Sequence, residues 1–232
     1  MILGLSPEAW AAVALSLKVS FWAVTLSLPI GIATAWLLAR ARFPGRQVLN
    51  GLVHLPLILP PVVTGYLLLL AFGRRGPLGA LLYDLFGVTL AFNWTGAALA
   101  AAIMAFPLMV RAIRLSIEAV DPGLEQAAAT LGASRLRVFL TVTLPLTAPG
   151  ILAGAILAFA KAMGEFGATI TFVSNIPGRT QTLPSAVYAF LQVPGAEASA
   201  LRLVLLSVVL AMGALIASEL LARRMRRRRE GA

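Results

Sequence analysis

The sequence has no cysteine, which excludes disulfide staples, thiolate metal sites and thiol nucleophiles. His54 is its only histidine, so sites built from two or three histidines are excluded too, including a zinc site of the H-E-x-x-H kind. Charge is equally scarce. Only 12% of the 232 residues are charged, nine acidic against nineteen basic, for a formal net charge of +10. That is too little to coat a soluble domain of this length. The basic residues lie in short loops beside apolar segments, with no stacking aromatics among them, so the positive balance does not read as a nucleic-acid surface. No G-x-x-x-x-G-K-[ST] phosphate loop occurs; GRRGPLG at 73–79 is glycine-rich but lacks the required lysine. An intramembrane enzyme, the remote alternative, would need a nucleophile with its base or an acidic metal cluster, and neither pattern is found.

What the chain has in abundance is apolar length. It is 59% hydrophobic, with a mean hydropathy of +0.90. A hydrocarbon layer of about 30 Å takes roughly 20 apolar residues per helix. Five stretches meet that requirement: about 9–39, 48–72, 92–118, 142–163 and 199–222. The first is too long for a signal-peptide core, has no basic region ahead of it and contains Lys18, so it reads as a retained helix. The expected fold is therefore an all-α integral membrane protein of about five transmembrane helices, a single domain over 1–232 in contact with membrane lipid.

Short loops rich in Lys and Arg stay cytoplasmic. Arg40, Arg42 and Arg46 follow the first span, Arg111, Arg114, Arg135 and Arg137 flank the loop after the third, and Arg223, Arg224 and Arg226 to Arg229 follow the fifth. All fall on one side, which predicts the N-terminus outside and the C-terminus in the cytoplasm. The basic tail 223–232 reads as a stop-transfer anchor at anionic headgroups, with a partner site as the alternative.

Pro29, Pro56, Pro60, Pro61 and Pro107 fall inside the spans. Each removes a backbone donor and kinks its helix. Carbonyls freed in hydrocarbon need cover from protein or a water-lined cavity, so Pro56, Pro60 and Pro61 are expected to face the bundle interior, either beside a path or as plain kinks. Gly150, Gly154, Ala158 and Ala162 set a small-residue stripe along the fourth span that permits close helix approach, which makes that span the expected centre of the bundle. The outer segment 164–198 is too short to cross and reads as re-entrant or interfacial, and GRRGPLGALLYDLFG as a short outer helix between glycine turns.

From Asp121 to Pro145 the apolar pattern breaks into DPGLEQAAATLGASRLRVFLTVTLP, whose grammar is helix, turn, helix. Asp121 suits an N-cap and Pro122 the first helical position. Gly132 suits a left-handed stop, and Ser134 caps a second helix through Arg135, Arg137 and Phe139. Small side chains on the first helix suit insertion into another protein's groove, although capped interhelical linkers look the same.

At 121–145 the sequence resembles the signature of ABC importer permeases, Glu-Ala-Ala, three residues, Gly, nine residues, Ile-x-Leu-Pro. Gln126, Ala127, Ala128, Gly132, Val142, Leu144 and Pro145 match in spacing, with Gln126 where the family has Glu and Val142 in place of Ile. HLPLILPPVVTGYLLL, FPLMVRAIR and GEFGATITFVSNIPG extend the resemblance over nearly the whole chain, to permease subunits of molybdate importers. Sulfate permeases share the Gly-Glu-Phe-Gly segment and the loop pattern.

The resemblance implies a type I ABC importer permease fold with a coupling helix between the third and fourth spans. It implies a multi-pass subunit of the bacterial cytoplasmic (inner) membrane that works by alternating access. Its implied partners are a second copy of itself, a cytoplasmic ATPase subunit dimer that binds ATP and Mg, and an extracytoplasmic molybdate-binding protein; no cofactor is expected on this chain. Docking is expected at Glu125, Gln126, Ala127, Ala128, Gly132, Ala133, Ser134 and Arg135, with the polar contact open between Glu125 and Gln126. Pro60, Pro61, Lys161 and Glu165 are candidates for the path or gate. Lys161 and Glu165 stand one helical turn apart, close enough to pair. They read either as a structural ion pair or, with Lys18, as charges that draw an oxyanion and order an outer gate. Sulfate or tungstate transport is the nearest alternative. A stand-alone channel or secondary carrier would not need the 121–145 loop.

Overall fold

A computed structural model describes residues 6–230, without the side chains of 214–215, 217–219 and 221–230. The arginines of the basic tail therefore lie outside the described residues. Every regular element among the described residues is a helix.

Helix α1 (Pro7–Arg40) begins where the Ser6 hydroxyl accepts the amide of Ala9 at 3.2 Å and Pro7 fills the first turn, a position that needs no N–H. It buries Ala9, Ala12, Ser16, Ser20, Ala23, Ser27, Gly31 and Ala35, a small-residue face at helical spacing. The partner for that face is α5 (Trp94–Glu118), begun by Asn93, whose side chain accepts the amide of Trp94 at 2.8 Å. In α5 61% of the most apolar window is buried, against 22% in α1 and 22% in the helix ending at Met163. The centre of the bundle is thus α5, which corrects the expectation that the fourth span lies there. Alanines at 97, 98, 100, 101 and 105 let neighbours approach α5 from several sides at once, and the glycines of the stripe on α8 (Leu144–Met163) are turned to α5. That contact is close: a Cβ added at Gly150 would lie 2.1 Å from Ser116 Cβ, and one at Gly154 would lie 3.1 Å from the Met109 carbonyl oxygen.

The second expected span is two helices, α2 (Arg46–Ile58) and α3 (Pro61–Phe72), bent by 114°. One kinked helix over 48–72 is corrected to a break. The residue before a proline is driven out of the helical region, and here it happens twice in succession. Leu59 sits at φ −68°, ψ 143° and Pro60 at φ −55°, ψ 134°. Helix α3 restarts with Val63 and Thr64 both donating to the Pro60 carbonyl, at 2.9 and 3.2 Å.

A short helix α4 (Pro77–Phe86) follows between glycine turns, as expected. After α5 come α6 (Pro122–Thr130) and α7 (Arg135–Val138), then a π-turn (Phe139–Thr143) that runs into α8. Pro145 has no N–H for the carbonyl one turn earlier, and the widened turn accommodates its ring. The outer segment forms α9 (Gly167–Val173) and α10 (Leu183–Leu191), neither long enough to cross a membrane. The Leu183 amide donates to Ser16 Oγ at 2.6 Å, fastening α10 to α1. Helix α11 (Glu197–Glu230) contains the fifth expected span. Among the described residues, three helices are long and apolar enough to cross a membrane, or four if the bent pair is counted as one span.

The break between α2 and α3 rests on the outer segment. A Cβ at Gly167 would lie 2.7 Å from Pro61 Cβ, and one at Gly65 2.4 Å from the Ala168 carbonyl oxygen. Gly65→Val therefore forces backbone apart. We expect it to cost about 1–3 kcal/mol, read as a lower melting temperature in detergent, whereas Gly51→Val, where an added Cβ meets nothing within 4 Å, leaves it within a degree or two of wild type.

Candidate functional site

Helix α6 is closed at both ends by its own sequence. Asp121 Oδ1 accepts the Gly123 amide at 2.8 Å, and Pro122 occupies the first turn. At the other end Gly132 takes φ +85°, and the Ala133 and Gly132 amides donate back to the carbonyls of Ala128 and Ala129 at 3.2 and 3.0 Å. This is the left-handed stop that satisfies the last carbonyls of a helix. Ser134 Oγ then accepts the Arg137 amide at 3.3 Å and starts α7. The helix, turn, helix grammar is therefore observed as the sequence implies it.

No residue of α6 is buried. Leu124 is 50% exposed and Leu131 89%, and Gln126, Ala127 and Ala129 are also exposed, so an apolar face with small side chains stands clear of the bundle. Ala133 is half-buried, while Ser134 and Arg135 are exposed at the turn. A cleft of about 310 Å³ separates α6 from α1, with Trp36, Arg40, Gln126, Arg135 and Phe139 on its walls. Trp36 and Phe139 meet edge-on with ring centroids 5.8 Å apart.

Glu125 and Gln126, adjacent in sequence, point to different tasks. Glu125 Oε2 lies 3.1 Å from Arg40 Nε, an ion pair whose angle falls outside hydrogen-bond geometry, and its Oε1 accepts the Thr143 hydroxyl at 2.7 Å. Arg40 in turn donates through Nη2 to the carbonyls of Ile117 and Val120 at 3.0 and 2.9 Å, at the C-terminal end of α5. Gln126 makes no such internal tie and stays exposed on the cleft. Arg40 and Thr143 were not legible as site residues, because Arg40 precedes Glu125 by 85 positions and reads as a topology charge. Thr143 falls on the unspecified position of the Ile-x-Leu-Pro pattern, here Val142-Thr143-Leu144-Pro145, so no spacing marks it.

At the other end of the bundle Lys161 Nζ lies 3.1 Å from Glu165 Oε2, and Glu165 Oε1 accepts the Ala168 amide at 3.0 Å. The Glu165 side chain is 2% exposed and that of Lys161 31%. Glu165 thus caps α9 with one oxygen and holds Lys161 with the other. Lys18 is not brought to them. Its ammonium sits 3.8 Å from the centroid of Trp94, a cation–π contact. Pro60 and Pro61 are exposed and Pro56 half-buried on the single chain, and through Gly167 the bend lies against the segment that Glu165 opens. His54 is satisfied by the Asn50 carbonyl oxygen, 2.8 Å from Nδ1. Among the described residues, no group of three or more His, Asp or Glu is placed to hold a metal ion.

A family model for the binding-protein-dependent transport system inner membrane component matches residues 27–227. The molybdenum transport system permease protein ModB of Escherichia coli (strain K12) is 64% identical over 222 residues, 96% of this chain and 96% of the relative. The sulfate transport system permease protein CysT of Salmonella typhimurium is 36% identical over 214 residues, 91% of this chain and 75% of the relative. Among solved structures, a bacterial ABC transporter that imports the acidic polysaccharide alginate superposes with a TM-score of 0.75 at 17% identity, covering 96% of this chain and 82% of that chain.

The Lys161–Glu165 pair has a definite energetic consequence. Removing one member of a buried pair strands the other charge, at a cost of about 3–5 kcal/mol. Because Lys161 keeps partial access to solvent, Lys161→Met should fall at the low end of that range, and Lys161→Met/Glu165→Gln should recover part of the loss. Thermal unfolding of the detergent-purified chain reads both, and a double variant no more stable than the single one would exclude the structural pairing.

Proposed function

Since this chain belongs to the binding-protein-dependent transport system inner membrane components, we propose that it is the membrane-spanning permease subunit of an importer that carries molybdate across the cytoplasmic membrane. ATP is hydrolysed by a separate chain. The observation that carries this reading is α6, a capped helix with no buried residue on a bundle that has no phosphate loop of its own. A helix so exposed and so well closed is built to be covered by something else. Molybdate is favoured over sulfate because identity to the molybdenum permease is 64%, against 36% to the sulfate permease. Tungstate shares the charge and tetrahedral shape of both ions and competes for the same route.

The partners follow from the surfaces. A cytoplasmic ATPase dimer, holding ATP and Mg, receives α6 and the turn after it, through Gln126, Ala127, Ala128, Gly132, Ala133, Ser134 and Arg135. Glu125 is turned inward, so Gln126 makes the polar contact. A second copy of this chain covers the bend of α2 and α3, where Ile58 is 79% exposed, Val62 55% and Tyr66 54%. Backbone freed at the bend needs protein or a water-lined space beside it, and both are met if the path runs between two copies past Pro60 and Pro61. Lys161 and Glu165 hold the outer segment against that path. An external oxyanion-binding protein delivers the ion on the side of α4 and α10.

The N-terminus lies outside and the C-terminus in the cytoplasm. Arg40 reaches the last carbonyls of α5, which supports one common side for the arginine-rich ends of α1 and α5 and for α6. Transport proceeds by alternating access: closure of the ATPase pair moves the two α6 helices, and the bundles above them follow as rigid bodies.

The test is ATP-dependent molybdate uptake in vesicles carrying this chain with its ATPase and binding protein, with sulfate and tungstate as competitors. Gly132→Asp should insert normally yet lose both the copurifying ATPase and uptake. A Cβ at Gly132 meets nothing within 4 Å of its own chain. Its local cost is therefore limited to about 1–2 kcal/mol of left-handed backbone strain, and the main obstruction falls on the partner. Normal transport by this variant would refute docking at the turn.

A further inference from the structure

Helix α6 has few ways to pass a displacement on to the bundle. None of its residues is buried, so packing alone gives it little grip. Through the chain it is joined to α5 at Val120 and Asp121 and to α7 at the Gly132 turn. The strongest lateral tie is Glu125. Its two oxygens engage two different elements: Arg40, the last residue of α1, at 3.1 Å, and Thr143, the last residue of the π-turn beneath α8, at 2.7 Å. Arg40 adds a third, because Nη2 also holds the carbonyls of Ile117 and Val120 at 3.0 and 2.9 Å. One carboxylate therefore joins α6 to α1, to α8 and, through the arginine, to the end of α5.

The environment makes this tie stiffer than a surface salt bridge. The side chains of Arg40 and Glu125 are 21% and 19% exposed, and Thr143 is 1% exposed. Partial burial raises the electrostatic term relative to exposed pairs. The geometry also has a direction. Thr143 stands where the helix is wound as a π-turn, the segment of this helix whose ladder is already loosened, so a pull on its side chain acts where the helix yields most easily.

We propose that Glu125 is a positioning residue that converts motion of α6 into motion of α1 and α8, so that the Arg40–Glu125–Thr143 cluster sets how many oxyanions cross per ATP hydrolysed. The proposal rests on the permease reading above. It divides the labour of two neighbouring residues: Gln126 faces the ATPase, and Glu125 faces the bundle that the ATPase must move. Without Glu125, α6 still docks but swings on its two chain connections, and hydrolysis proceeds with less transport.

The experiment uses the full complex of this chain, its ATPase and its binding protein in vesicles, with ATP hydrolysis and molybdate uptake measured in the same sample. Glu125→Gln should keep the ATPase subunit in the purified complex and lower the molybdate-to-ATP ratio about tenfold, the size expected when a hydrogen-bonded charge is removed. Arg40→Gln should lower the ratio comparably. The double variant should be no worse than either single one, because both remove the same link. A general folding defect lowers hydrolysis and uptake together and leaves their ratio in place. An unchanged ratio in Glu125→Gln, loss of the ATPase subunit from that complex, or additive effects in the double variant would each overturn the proposal. Should Glu125→Gln fail to fold and insert in the membrane at all, Thr143→Val keeps the ion pair and deletes one bond to it. A lower ratio then supports the link, and a wild-type ratio overturns it. Failure of the permease reading itself is distinguishable, since it appears in the wild-type complex as absence of ATP-dependent uptake and of a bound ATPase.

Discussion

Everything in this chain depends on how closely its helices approach α5. Lipid tails are as apolar as leucine, so burial of apolar area gives no net drive for helices to associate in a membrane, and dispersion contacts at short range must supply it. Small residues make that range reachable. Alanines along α5 and glycines on α8 bring backbone to within a few ångströms of neighbouring side chains, so that an added Cβ at Gly150 would lie 2.1 Å from Ser116 Cβ. The large exposed side chains, such as Leu26, Ile30, Leu205 and Val209, are left outside. In a soluble protein that distribution would be inverted. Here it follows from the solvent.

The same solvent dictates where the helices break. A backbone carbonyl without a partner is costly in hydrocarbon, so each interruption is covered or turned to use. Pro60 and Pro61 break the second span, and the outer segment fits against the break, Gly167 on Pro61 and Gly65 on Ala168. Glu165 opens that segment with a buried carboxylate whose oxygens are occupied by Lys161 and the Ala168 amide. Pro145 produces the π-turn, and the hydroxyls beside it take up neighbouring acceptors: Thr141 donates to the Arg137 carbonyl at 2.6 Å and Thr147 to that of Thr143 at 2.9 Å. The irregular features are thus one family of solutions to missing N–H groups, and they lie next to the surfaces on which transport is proposed to depend.

Charge is used sparingly and mainly at helix ends. Arg40 satisfies carbonyls at the end of α5, Arg46 reaches the Leu38 carbonyl at 3.0 Å near the end of α1, and Arg114 pairs with Glu118 at 2.7 Å while donating to Asn50 Oδ1 at 3.0 Å. Cations at C-terminal ends complement both the orphan carbonyls and the helix dipole. Arginines that the sequence offers as topology charges therefore also bind the ends of the helices together, and Glu125 ties the exposed α6 into that layer.

Several features were determined by the sequence alone. Apolar runs of about 20 residues can only be helices in a membrane, and Asp121, Pro122, Gly132 and Ser134 mark the bounds of α6 because capping chemistry acts over three or four residues. The pairing of Lys161 with Glu165 was legible for the same reason of short range. Other features were decided only by tertiary structure. Pro60 and Pro61 mark where the second span breaks, but the 114° size of the bend and the outer segment packed against it appear only in the folded chain. The central place of α5 rather than α8 depends on which small face finds a neighbour on every side, and both helices carry such a face. The separate tasks of Glu125 and Gln126 could not be read from adjacent positions. What separates them is Arg40 and Thr143, residues far apart in sequence that meet the glutamate only after α1, α6 and α8 have packed, since an ion pair is a matter of ångströms in space and leaves no periodicity along the chain.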